Sequence, residues 1–193
     1  MPILFTNVRP LPSVDVGSGG MPFAYQHGSS GFALVGLVVR AGSWIDQVTP
    51  IFAELLDEGS FGAEVLGPAF GGHGGGSGYE LRVAPGHLVT GIQTRSGNFV
   101  DGVRLLQSRW DGASLNLSES RWTQWIGGSA MGGVERPERI IDAAGTAVAI
   151  GIAGRSGAYI DNLTLISAEL VRVSGTVVAK GPGRNARSAV AAG

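Results

Sequence analysis

The chain has 193 residues, no cysteine and a formal net charge of −1. This excludes a disulfide or thiolate framework and a basic footprint for nucleic acid, and no run of about 18 apolar residues is present to span a membrane. Glycine contributes 33 residues while 44% of the chain is hydrophobic, which points to dense turns between short apolar strands, an all-β domain rather than a disordered glycine polymer.

In chain order, residues 1–15 carry three prolines and one short apolar run and read as an arm or edge strand. No basic segment precedes a long apolar stretch, so a Sec-type signal is not visible and the final location is left open. After the turn Gly17-Ser18-Gly19-Gly20, strands are expected at 23–26, 32–39 and 48–55, with Pro50 at an edge or bulge. Residues 57–70 form a polar connection with room for one more strand. Gly71-Gly72-His73-Gly74-Gly75-Gly76 opens a second unit with strands at 79–83, 88–94 and 103–110, followed by a connection over 115–125. Gly127-Gly128-Ser129-Ala130-Met131-Gly132-Gly133 opens a third, with strands at 139–143, 147–153 and 163–173; a short helix over 135–144 competes with the first of these. From Ser174 the chain becomes basic and reads as one further strand over 175–180, a solvated terminus, or a peptide that docks on a neighbour.

One seven-residue pattern is written three times: Arg40-Ala41-Gly42-Ser43-Trp44-Ile45-Asp46, Arg95-Ser96-Gly97-Asn98-Phe99-Val100-Asp101 and Arg155-Ser156-Gly157-Ala158-Tyr159-Ile160-Asp161. Four residues before each arginine stands another glycine, Gly36, Gly91 or Gly151, expected to mark a bulge or a close approach of strands. Self-similarity at this spacing implies one supersecondary unit repeated three times. No four-stranded unit buries its apolar face alone, so three sheets are expected around a pseudo-threefold axis, each with one face inward and one toward solvent.

The order Gly17–Gly20, Gly42-x-x-x-Asp46, Gly71-Gly72-His73-Gly74-Gly75 and Gly151 followed by Gly154–Asp161 resembles the jacalin-related lectins over about residues 15–172. The resemblance implies a β-prism of three four-stranded Greek-key sheets, with a 1–15 arm before a 16–172 prism domain and a 173–193 extension after it. It implies sugar binding by Gly-x-x-x-Asp loops, each partnered by the last glycine of a Gly-Gly-x-Gly-Gly loop from the same sheet. The galactose type in that family uses a free amino terminus cut at the first glycine-rich loop. An arm precedes that loop here, so the mannose/glucose type is implied. This chain departs from the pattern in carrying the Asp loop in all three units, in a short first glycine-rich loop and in a stretched third one.

The residue chemistry suits such a ligand. A carboxylate accepts two O–H bonds from neighbouring sugar hydroxyls, main-chain N–H groups donate to sugar oxygens, and glycine lets the ligand approach the backbone. The expected carbohydrate contacts are Gly20, Gly42, Ser43, Trp44, Asp46, Gly75, Gly97, Asn98, Phe99, Asp101, Gly133, Gly157, Ala158, Tyr159 and Asp161. The aromatic of each loop either offers a face to sugar C–H groups or packs inward. Single sites of this size are weak, on the order of millimolar, and three on one body favour branched glycans. Against this stands ordinary turn chemistry, in which Asp caps its own backbone.

Arg40, Arg95 and Arg155 are expected to brace their turns, Trp110, Trp122 and Trp125 to pack, and His73 to be solvated loop. Neither a metal nor another cofactor is implied. One carboxylate per loop falls short of a glycosidase pair or a calcium cage, and no nucleophile or phosphate-loop motif is present. The expected function is therefore non-catalytic glycan binding; the alternative is a structural, assembly or decoration module with the tails as docking segments, and a homo-oligomer is a candidate partner.

Overall fold

The computed structural model describes residues 3–56, 59–76, 78–128, 133–141 and 144–172. Its organising feature is a long hairpin repeated three times, bent at each glycine that precedes an Asp loop. The strands in chain order are β1 (Ile3–Pro10), β2 (Met21–Gln26), β3 (Phe32–Ala41), β4 (Ile45–Leu55), β5 (Phe61–Leu66), β6 (Phe70–Gly71), β7 (Gly78–Arg82), β8 (His87–Ser96), β9 (Val100–Trp110), β10 (Leu115–Trp122), β11 (Ile126–Gly127), β12 (Val134–Glu135), β13 (Arg139–Ile140), β14 (Ala147–Ser156) and β15 (Ile160–Arg172). The hairpins are β3–β4, β8–β9 and β14–β15.

Each hairpin gains one neighbour on either side. The sheets run β1-β15-β14-β2, β5-β4-β3-β7 and β10-β9-β8-β12, with β6 extending the outer edge of β4, β11 that of β9, and β13 pairing with β8. Three antiparallel four-stranded sheets result, as expected of a β-prism. No helix among the described residues is long and apolar enough to cross a membrane.

The bulges explain how such long strands curl around one axis. Register slips between Leu34 and Gly36, Val89 and Gly91, and Ala149 and Gly151. An extra residue shifts the in/out alternation by one, so the inward series runs Leu34 then Leu37, Val89 then Ile92, Ala149 then Ile152, all in one buried cluster. Glycine is required because the neighbouring strand comes too close for a side chain. A Cβ at Gly36 would lie 2.7 Å from the Leu81 carbonyl oxygen and one at Gly91 2.8 Å from that of Arg139.

Two sequence expectations are corrected and one open alternative is decided. The sheets are not one-sided: toward the end away from the Asp loops the opposite parity is buried as well, with Ala33, Val35, Ile51, Ala53, Leu55, Leu88, Trp110, Leu115, Val148 and Ile150 in a second cluster. The described part of 135–144 forms the short strands β12 and β13 rather than a helix, because its edge backbone pairs with β8. The three units also do not begin at their glycine-rich loops: β2 follows the first loop but pairs with β14 near the other end of the chain. Residues 3–10 pair with β15 as an edge strand, from Ile3 opposite Arg172 to Pro10 opposite Ile166. The tail from residue 173 lies outside the described residues.

Candidate functional site: three corners at one end of the prism

The strands continue further into the seven-residue pattern than expected, leaving tight turns at 42–44, 97–99 and 157–159. Each turn closes identically, by Gly42 N–H to Trp44 O at 2.9 Å, Gly97 N–H to Phe99 O at 3.0 Å and Gly157 N–H to Tyr159 O at 2.9 Å. A second register slip just before each turn, at Arg40/Ala41, Arg95/Ser96 and Arg155/Ser156, orients the Asp four positions after the glycine. The residue before it, Ile45, Val100 or Ile160, is fully buried and anchors the strand.

Each Asp meets a glycine-rich loop, and the pairing is non-local in one case. Gly74 and Gly75 lie on the carboxylate of Asp46, Gly19 and Gly20 on that of Asp161, and Gly133 on that of Asp101. The Asp46 and Asp161 corners match in how the last loop glycine meets the carboxylate. A Cβ at Gly75 would lie 2.6 Å from Asp46 Oδ2, and one at Gly20 2.6 Å from Asp161 Oδ2. Both glycines have positive φ, 72° and 60°, which other residues rarely adopt. The short first loop therefore builds the same wall as the longer second one.

Two anchors hold these walls. Arg40 donates to Gly74 O at 3.1 Å and His73 O at 3.2 Å; Arg155 donates to Gly19 O and Gly20 O, each at 2.8 Å. The residue after each Asp supplies the second, Gln47 Nε2 to Gly72 O at 2.7 Å and Asn162 Nδ2 to Gly17 O at 2.9 Å. The arginines thus brace the turns, as expected, and spend their donors on carbonyls rather than on the carboxylates. Among the described residues no other residue donates a hydrogen bond to the Asp46 or Asp161 carboxylate. Both are recessed, 5% and 4% exposed. Burial raises the Asp161 pKa, offset in part by the Arg155 charge and the residue's own N–H.

Among the described residues the Asp101 corner is held differently. Gly102 stands where Gln47 and Asn162 stand, so no amide reaches the loop. Arg95 turns to Glu135, with Nη2 to Oε1 at 2.7 Å, and lies 4.0 Å above the Trp125 ring. Asp101 is 1% exposed, and neither carboxylate oxygen makes a well-formed hydrogen bond. Burial raises its pKa, and the Gly133 N–H that faces it offsets this only in part. Asp101 thus differs from Asp46 and Asp161 in having both carboxylate oxygens buried with no partner, a costly arrangement for a charged group. The interior of the stretched loop, 129–132, lies outside the described residues.

The aromatics expected as sugar contacts are placed differently from a side wall standing alone. Trp44, Phe99 and Tyr159 pack on one another around the axis, with centroids 5.5 Å apart for Trp44–Phe99 and 4.9 Å for the other two pairs. The non-local contacts escaped sequence reasoning too. Asp15 accepts from Thr94 Oγ1 at 2.6 Å and from Leu163 N–H at 2.9 Å, tying two sheets together beside the corners. Gly17 and Gly72 lie against the carbonyls of Asn98 and Ala158, so each of these two walls leans on a neighbouring sheet's turn.

Comparison with solved structures places this architecture among the jacalin-related β-prisms. A Malaysian banana lectin is 16% identical with a TM-score of 0.58, covering 85% of this chain and 99% of its own. A mannose-binding jacalin-related lectin from Ananas comosus is 15% identical with a TM-score of 0.55, covering 84% and 98%. Artocarpin, solved with mannotriose, is 11% identical with a TM-score of 0.61, covering 84% and 98%. No family model and no curated protein matches the chain. The fold is that of the jacalin-related lectins, at an identity that speaks to fold alone.

Proposed function

We propose that this protein is a non-catalytic carbohydrate-binding protein, with working sites at Asp46 and Asp161 for mannose/glucose-type glycans and none at Asp101. The observation that carries this is the repeated geometry of the two corners: a recessed carboxylate faced by a Gly-Gly pair, in a loop whose carbonyls accept from arginine, Gly74 and His73 from Arg40 and Gly19 and Gly20 from Arg155. Glycine leaves the acceptor oxygens reachable where any side chain would cover them. Two O–H groups on adjacent sugar carbons suit the two oxygens, and in this reading the main-chain N–H groups of Ser43 and Trp44, or of Ala158 and Tyr159, donate to the sugar oxygens.

Several neighbours in fold are described as mannose lectins, which supports the sugar class. Each corner offers one carboxylate, so the paired acid and base of glycoside hydrolysis do not come together there. Titration of the labelled chain with methyl α-mannoside, followed through the amides of Gly42, Gly75, Gly157 and Gly20, tests the reading. Saturable shifts at both corners and none at Gly97 are expected. A flat response to mannose and glucose at all three would remove it.

A further inference from the structure

At the end of the prism away from the Asp loops, the β5-β4-β3-β7 sheet carries an open trough of about 330 Å³. Val35 and Ala53 form its floor, with Phe61 on the β5 side and Val83 just past β7 on the other. β5 and β7 are the two edges of this sheet, and one arginine joins them. Arg82 Nη1 donates to Glu64 Oε2 and Arg82 Nε to Glu80 Oε2, each at 2.6 Å. Beyond this strap the trough continues over Val38 and Ile51 to Leu66, which is 63% exposed. Exposed ion pairs of this kind contribute little, and each carboxylate keeps acceptor sites for a further donor. An apolar floor that ends at two carboxylates sharing one cation suits an apolar segment followed by a second cation.

The chain itself contains such a segment. All 15 acids lie at or before Glu169, whereas Lys180, Arg184 and Arg187 lie beyond Arg172. Residues 1–172 therefore carry a net charge of −4 and residues 173–193 a charge of +3. Lys180, the single lysine of the chain, follows the apolar run Val177-Val178-Ala179.

The place where the tail starts puts the trough within reach. Arg172 pairs with Ile3, and the Ile3 carbonyl oxygen lies 3.9 Å from where a Cβ of Gly31 would stand. Gly31 O accepts from Leu55 N–H at 2.7 Å, and Leu55 pairs with Phe61. Steps between adjacent strands are about 5 Å, so this route from Arg172 to Phe61 is roughly 20 Å. An extended chain covers that in about six residues, which brings Val177–Ala179 to the trough mouth and Lys180 toward Glu64.

We propose that the trough is the docking site of this chain's own C-terminal segment, with Val177–Ala179 on the apolar floor and Lys180 on Glu64 and Glu80. Attachment at Arg172 makes the docking intramolecular and gives it a high effective concentration. The proposal does not depend on the carbohydrate reading, whose corners are at the other end of the prism.

The chain has no cysteine, so Gly181→Cys carries a single nitroxide label beside Lys180. In the isotope-labelled full chain the amides of Phe61, Val83 and Ala84 should lose most of their intensity, while those of Gly42, Gly97 and Gly157 keep theirs. Adding Lys180→Glu should restore the lost intensity, and so should Glu64→Gln combined with Glu80→Gln, both at exposed positions. Absence of a selective loss, or a loss that survives Lys180→Glu, overturns the proposal. An equal mixture of nitroxide-bearing unlabelled chain and isotope-labelled chain without nitroxide tests the other occupant. Loss at Phe61 and Ala84 in that mixture assigns the trough to the tail of a second copy and overturns docking within one molecule; unchanged intensity there, with the loss seen in the single chain, supports it.

Discussion

The rings of Trp44 and Tyr159 meet edge-on, 4.9 Å between centroids and 63° between planes, so the turn that serves Asp46 and the turn that serves Asp161 are parts of one packed object. Phe99 completes the cluster from the remaining turn, whose own Asp101 is buried. Phe99 therefore has a packing role independent of any ligand at its own corner. Trp44→Ala should cost about 2 kcal/mol, the half-buried share of a large-to-small loss, or roughly 4–8 °C in Tm for a chain of this size. It should also shift the amides of Gly157 and Gly20. Calorimetry and a two-dimensional NMR spectrum check both; disturbance confined to residues near Gly42 would count against a shared cap.

Asp46→Asn and Asp161→Asn should each weaken sugar binding at their own corner at least tenfold, on the order of the loss of a charge-assisted hydrogen bond, and leave the other corner intact. For Asp161 the stability sign follows from its raised pKa. A carboxyl that holds its proton more tightly when folded opposes folding once the unfolded chain ionises, so stability falls as pH rises above the ordinary value of 3.8. Asp161→Asn should thus melt no lower than the parent at neutral pH. A lower Tm would make Asp161 a structural residue.

Asp101 gives the clearest pH dependence. It is sealed, unpaired and raised in pKa by burial, so the same sign applies with no ligand to offset it. The Tm advantage of Asp101→Asn over the parent should be absent below about pH 3, where the carboxyl is protonated in both states. It should grow through the carboxylate range and then level off. Melting curves from pH 3 to 7 check this, and sugar binding at the other two corners should not change.

Gly75→Ala and Gly20→Ala each put a methyl group 2.6 Å from a carboxylate oxygen at a positive φ. Each should cost about 1–2 kcal/mol in stability and abolish binding at its own corner only. Isothermal titration on each variant and on the pair measures it: one site remains after either change, none after both.

How much of this was legible in the chain depends on range. The three turns, the bulge glycines and the buried position before each Asp are local patterns, set by side-chain alternation and by what a glycine permits, and they read directly from residues 34–46, 89–101 and 149–161. Even the difference at the Asp101 corner leaves a local trace, since Gly102 stands where Gln47 and Asn162 provide an amide. Its meaning was hidden because nothing in the order of residues says what those amides hold.

Tertiary structure decided which wall faces which carboxylate. Chain order groups Gly17–Gly20 with Asp46, yet the sheet closes β2 onto β14 and delivers Gly19 and Gly20 to Asp161. Backbone pairing between the two ends of the chain makes that choice, and side-chain pattern carries no record of the partner. The convergence of Trp44, Phe99 and Tyr159 has the same origin. Sequence by itself set what each corner contains; the closing of three sheets around one axis set how deeply each carboxylate lies and what stands next to it.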